Sequence, residues 1–397
     1  MEIHQLFFYL VALSYFFASI EGLSRSDFPD GFVFGAGSSA YQELHTRMAK
    51  GLAYGILSLR HTQEDIALMK EIGLDSFRFS ISWSRVLPSI QPCITLFHWD
   101  TPQALEDEYD GFLSIDIVND YHDYAEFCFK EFGDRVKLWT TFNEPNTFSS
   151  EGYATGTIAP GRCSSYVGNC TFGNSGIEPY MVAHHILLSH ATAVKLYREK
   201  YQASQMGEIG ITISTFWMVP KYQTIASSKA ASRALDFAFG WFAHPVTYGD
   251  YPKSMRALVG NRLPNFTVIQ SKMVKGSLDF LGVNYYTARY ADDSTSSSSV
   301  HLSYTTDSHV NLTRFSDVNN NSWTIQDALN DRLRLKYHQL HLSSRLKATR
   351  ARINVKGYYV WSFLDDFEWE SGYTYRFGIN YIYYKNGLTR YMKHTAL

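Results

Sequence analysis

Residues Val136–Asn146, VKLWTTFNEPN, decide the fold. An apolar run rich in β-branched and aromatic residues, which favour extended backbone, closes on an amide, a carboxylate and a proline. Val136–Asn143 is expected to be a strand, with Glu144 held at its C-terminal end. A Glu there can be a helix cap or half of a surface ion pair. It can also be half of a catalytic carboxylate pair. Six further runs have the same character: Phe32–Gly37, Asp75–Trp83, Cys93–Trp99, Ile209–Phe216, Leu278–Tyr286 and Val355–Phe363. Helix-like stretches such as Gln63–Glu71 separate them. Strands alternating with helices imply a parallel sheet with helical cover. Polar and aromatic residues gather where the runs end: Arg78, His98, Asn143, Glu144, Tyr286 and Trp361. That placement is expected of an α/β protein of the (β/α)8 TIM-barrel class, whose active site lies at the C-terminal rim.

The barrel reads as incomplete. Seven of eight strands are recognisable. Between Trp83 and Cys93 lie only nine residues, SRVLPSIQP, with two prolines. A parallel crossover needs about 10–12 residues or more, usually with a helix, so the helix after the second strand is missing. Between Thr287 and Asn354 stand a Ser-rich loop, an Asn-rich loop and a helix-like segment from about Ile325 to Lys347. No apolar seventh strand of the barrel kind appears there.

Composition narrows the function. The 397 residues are 45% hydrophobic and 16% aromatic, with 28 Tyr, 27 Phe and 8 Trp, enough for a large core. A net charge of −2 gives no footprint for nucleic acid or an anionic membrane. The apolar run Leu6–Ile20 is short for a membrane span and fits a secretory signal peptide over 1–22, leaving 23–397 as one domain. Four sequons, at Asn169, Asn265, Asn311 and Asn320, agree with secretion and N-glycosylation. Cys163 and Cys170 flank a short Ser/Gly loop and can close a local disulfide. Cys93 and Cys128 read as buried free thiols. No Cys/His spacing suggests a metal, and no cofactor motif is present.

The segments FVFGAGSSAYQ, FRFSISWSRVLP, TLFHWDTPQALED, WTTFNEPN, GYATGTIAPGRCS, LDFLGVNYYT, VKGYYVWSFLDDFEW and YRFGINYIYYKNGLTRY follow one another along most of the chain. In this order they resemble plant β-glucosidases of glycoside hydrolase family 1. The resemblance implies a single (β/α)8 barrel that hydrolyses β-glycosides with retention through two Glu residues, about 5–5.5 Å apart. Glu144 matches the acid/base and Asn143 the contact to the sugar 2-hydroxyl. Gln42, His98 and Glu368 match residues that hold sugar hydroxyls. Trp361 matches the aromatic floor, Trp369 its neighbour, and Phe377 a further subsite contact. Tyr286 matches a tyrosine bonded to the nucleophile, with Arg78 and Asn284 in support. The implied partner is a small β-glucoside, in a secreted, vacuolar or ER-derived compartment. Thioglucosidases of the family tend to carry Gln at the position of Glu144, so Glu here favours O-glycosides.

One part of that pattern is absent. The family nucleophile lies in a Glu-Asn-Gly motif after the seventh strand. This chain has no Glu-Asn-Gly, and no glutamate at all between Thr287 and Asn354. Asp327, Asp331, Asp365 and Asp366 are the nearby acids, none in a suitable place. The expected outcome is a β-glucosidase by family that is inactive as written. The alternatives are a non-catalytic glucoside-binding remnant and a splice form or faulty gene reading of an active enzyme.

Overall fold

The computed structural model describes residues 23–39, 56–80, 91–294, 301–314, 325–384 and 388–397. The leader, Gln42, the segment 81–90 expected to lack a helix, and Asn320 lie outside these. Along the chain come β1 (Val33–Gly37), α1 (Ile56–Ile72), β2 (Ser76–Ser80), β3 (Gln91–Phe97), α2 (Ile117–Phe132) and β4 (Leu138–Asn143). They are followed by α3 (Pro145–Ser150), α4 (Glu178–Leu196), β5 (Glu208–Pro220), α5 (Ile225–Leu235), α6 (Val268–Val274), β6 (Phe280–Asp293) and β7 (Val310–Arg314). Last come α7 (Arg332–Arg350), β8 (Gly357–Trp361), β9 (Asn380–Tyr383) and β10 (Thr389–Met392). All seven strand-like runs form strands. The chain makes two compact units, one within Met1–Cys93 and Asp317–Leu397, the other within Ile94–Ser316.

In the first unit β1 is the middle strand, parallel to β2 on one side and β8 on the other. The register sets Gly37 opposite both Arg78 and Trp361. Small residues on β1 make room for the rings of β8. A Cβ on Gly35 would stand 2.5 Å from the Tyr359 ring, and one on Gly37 3.2 Å from Trp361. Tyr359 uses the space to donate its hydroxyl to Ser76 Oγ at 2.8 Å. Ala36, Met69, Phe363, Ile379 and Ala396 form the core beneath.

In the second unit β4 and β5 run parallel, as do β5 and β6. Residues 209–215 of β5 are all buried, as expected of a strand covered on both faces. The aromatic core is built around β3 and β4. Phe97 meets Phe112, Phe142 and Phe148 at centroid distances of 5.2–5.3 Å, and Tyr121 stacks on Phe142 at 4.5 Å. Beyond the residues expected, β5 runs on to Pro220 and β6 to Asp293. The end of β6 then pairs with β7, with Asp293 opposite Val310. So a strand does occupy part of Thr287–Asn354, but it is antiparallel. Its sequence, VNLTR, is polar, which is why no apolar run betrayed it. The expected Ile325–Lys347 helix is two pieces, Ile325–Leu329 and α7, parted at Asn330–Asp331.

Candidate active site

Glu144 is the residue where β4 ends and α3 begins. Its backbone is left-handed, φ 46° and ψ 52°, and Pro145 occupies the first helical position. For a residue other than glycine this costs on the order of 1–3 kcal/mol and persists where surroundings enforce it. Here the enforcing contacts are visible. The Glu144 amide donates to the Thr212 carbonyl of β5 at 2.8 Å. Its carboxylate accepts from Thr147 Oγ1 at 3.0 Å and from Asn284 Nδ2 of β6 at 2.5 Å. Glu144 is only 9% exposed.

Asn143 and His98 complete the cluster within this unit. Asn284 Nδ2 also approaches Asn143 Oδ1 at 3.2 Å, while Asn143 Nδ2 lies 3.1 Å from His98 Nε2. With the amide donating, the imidazole accepts at Nε2 and carries its proton on Nδ1. Trp99 Nε1 donates to the Asn143 carbonyl at 2.9 Å, and the His98 amide donates to Asp100 at 3.1 Å. Burial raises the Asp100 carboxyl above its ordinary value, against the pull of the His98 amide. Tyr286 follows Asn284 by two residues on β6 and is 44% exposed. The result is a chain of polar side chains, His98 to Asn143 to Asn284 to Glu144, that links the C-terminal ends of β3 and β4 to the interior of β6. It can hold sugar hydroxyls and present one carboxyl group.

In the first unit, Trp361 ends β8 and Arg78 lies on β2. Glu368 and Trp369 sit in a tight turn, where the Glu368 amide donates to the Gly372 carbonyl at 2.6 Å. Phe377 is half-buried and its carbonyl accepts from the Ser362 amide at 3.0 Å. Asp365 is fully enclosed and saturated. It accepts from Lys393 Nζ at 2.9 Å, the Gly378 amide at 3.0 Å, Arg376 Nη1 at 3.2 Å and the Ile382 amide at 3.3 Å. Asp331 is buried at the N-terminus of α7 and accepts from Thr395 Oγ1 at 2.7 Å.

The Cys163–Cys170 disulfide is formed, while Cys93 and Cys128 are buried and reduced. Asn169, Asn265 and Asn311 are all exposed. Sequence reasoning did not single out Thr147 or Trp99. Thr147 stands three residues after Glu144, the spacing of a helix cap and its third residue, and that was the available signal.

The family model for glycosyl hydrolase family 1 matches residues 44–89, 89–328 and 316–397. "Beta-glucosidase 17" of Arabidopsis thaliana is 49% identical over 468 aligned positions, covering 94% of this chain and 90% of the relative. "Furcatin hydrolase" of Viburnum furcatum is 45% identical, over 96% of this chain and 87% of its own length. Among solved structures, a rice β-glucosidase is 38% identical with a TM-score of 0.86, covering 94% of this chain and 98% of that one. A mutant of a rice β-glucosidase in a covalent complex with Glc is 37% identical with a TM-score of 0.87, at the same coverages. The chain belongs to glycosyl hydrolase family 1, and its fold is the TIM barrel of those structures, in truncated form. The aligned span of 468 positions exceeds the 397 residues present, so the Arabidopsis relative has interior segments that this chain lacks. Among the described residues no helix is long and apolar enough to cross a membrane.

Proposed function

We propose that the chain is built as a retaining β-glucosidase for O-β-glucosides, and that in its present sequence it binds the glucoside without hydrolysing it. The relatives named β-glucosidase support the reaction class. In this reading Glu144 is the acid/base and Asn143 the partner of the sugar 2-hydroxyl. His98, Gln42, Glu368, Trp361, Trp369 and Phe377 hold the sugar. Tyr286, Arg78 and Asn284 serve the environment of the nucleophile.

Retention needs a second carboxylate to attack the anomeric carbon while the acid protonates the departing oxygen. The observation that carries the inactivity is the absence of any glutamate between Thr287 and Asn354. Within that stretch the family match passes from one segment to another, and the two overlap over residues 316–328. Substitution by Asp365 is disfavoured because its two oxygens already accept four donors. A proton donor alone leaves the anomeric carbon unattacked.

The purified chain should release nitrophenol from an aryl β-glucoside no faster than its Glu144→Gln variant. Turnover well above that variant overturns the inactive reading. Calorimetry with glucose or the glucoside should show saturable heat, lost in Trp361→Ala. The longer aligned span of the relative supports a second reading, a shortened product of a gene that also encodes an active enzyme. Sequencing the transcript tests it, since a longer product would carry the Glu-Asn-Gly segment. The leader, the exposed sequons and the disulfide support entry into the secretory pathway, with glycans on Asn169, Asn265 and Asn311.

A further inference from the structure

Arg334 lies in the first turn of α7, in the same unit as Glu368 and Trp369. Its guanidinium donates to three consecutive backbone carbonyls: Phe377 at 2.5 Å, Gly378 at 2.8 Å and Arg376 at 2.9 Å. The side chain is 15% exposed, and the nearest carboxylate in an ion pair with it, Asp331, is 4.0 Å away. A buried cation is costly unless its donors are used. Here the backbone carbonyls use them. The planar fork can serve several acceptors at fixed angles, as a lysine ammonium on a flexible stem cannot.

The carbonyls belong to the C-terminal end of the loop that starts after β8. Asp365 grips both ends of it, lying at the start and accepting from the Gly378 amide at 3.0 Å. Phe363, near the start of the loop, and Ile379, just past Gly378, belong to the hydrophobic core. Between them Glu368, Trp369 and Phe377 are half-buried and outside that core. The core fixes the flanks, and polar groups fix the loop.

We propose that Arg334 is a positioning residue for sugar recognition: it holds the loop that carries Glu368, Trp369 and Phe377 in its ligand-accepting shape. The inference rests on the glucoside-binding reading for its functional consequence. It also explains why α7 has a role in a chain that lacks a nucleophile. The helix supplies the brace of the sugar-contacting loop.

The test compares the full chain with Arg334→Met and Arg334→Lys by hydrogen exchange and by calorimetry with an aryl β-glucoside. In both variants exchange should rise about tenfold at the Ser362 and Gly378 amides, for the loss of hydrogen bonds worth roughly 1–1.5 kcal/mol. Peptides from β1 and α1 should exchange as before, and glucoside affinity should fall about tenfold. Unchanged loop exchange overturns the proposal, as does an equal rise throughout the unit, which is general destabilisation. Should Arg334→Met fail to fold, Arg334→Lys retains the charge and decides alone. Loosened exchange with unchanged glucoside affinity also overturns it. If the unsubstituted chain takes up no glucoside, the binding reading fails by itself. The loop-positioning claim is then still decided by the exchange data.

Discussion

Asn284 Nδ2 lies 2.5 Å from Glu144 Oε1 and 3.2 Å from Asn143 Oδ1. One amide on β6 thus ties together the Glu144 carboxylate and the side-chain amide of Asn143 beside it. Hydrogen bonds to charged groups contribute about 1.5–3 kcal/mol, and a buried partner left behind adds its desolvation cost. Asn284→Leu should lower the unfolding free energy by about 1–3 kcal/mol in urea titration. A variant as stable as the parent means that this bond contributes nothing.

On the proposed function, a second carboxylate supplied beside Glu144 should restore hydrolysis. Replacing residues 315–324 by a strand segment that carries Glu-Asn-Gly supplies that carboxylate without touching Glu144. Aryl β-glucoside hydrolysis should appear in this graft. It should drop by about 10²–10⁴-fold when Glu144→Gln is added, the usual cost of losing a general acid–base group. A folded graft with no activity means that a second carboxylate alone does not make this chain a hydrolase.

The first unit should be sensitive to acid. His338 Nδ1 shares a hydrogen bond with the Tyr358 hydroxyl at 2.7 Å, and His341 Nδ1 donates to the Tyr337 carbonyl at 2.7 Å. Burial, with Arg334, His341 and Arg345 nearby, lowers His338 to about 3. Burial and Arg345 lower His341 to about 4. Both are neutral in the fold, so below pH 6.5 the unfolded chain binds more protons than the native one. Their contribution is complete above pH 6.5 and is lost as pH falls toward 4. At pH 5 the loss is on the order of 2 kcal/mol per histidine. Melting curves between pH 7 and pH 5 should fall accordingly, and less steeply in a His338→Asn, His341→Asn double variant.

The Cys163–Cys170 bridge spans a sequence separation of 7. Chain-entropy reasoning gives about 2–3 kcal/mol for so short a loop. The Cys163→Ser, Cys170→Ser double variant should melt lower than the parent, and reductant should shift the parent alone. Reductant shifting both equally assigns the effect elsewhere.

Much of the architecture was legible because parallel strands buried on both faces leave apolar runs, and all seven such runs became strands. Their ends were less so. β5 and β6 extend past their apolar segments because β6 finds a partner in polar β7, and pairing of that kind leaves no hydrophobic period. The β9–β10 hairpin was missed similarly, although residues 380–382 are buried. Glu144 announced itself through its neighbours in the motif, whereas the bonds of Thr147 to that carboxylate and of Arg334 to backbone carbonyls leave no mark in composition. Arg334 reaches carbonyls more than 40 residues away.

The antiparallel pairing of β6 with β7 has a kinetic consequence. Parallel partners such as β5 and β6 must find each other across an intervening helical crossover, and closing such long loops slows folding. β7 returns to β6 through a single excursion between Asp293 and Val310. That ribbon can therefore zip up on its own during synthesis. It occupies the outer end of β6 before an edge strand left bare there can recruit a neighbouring chain.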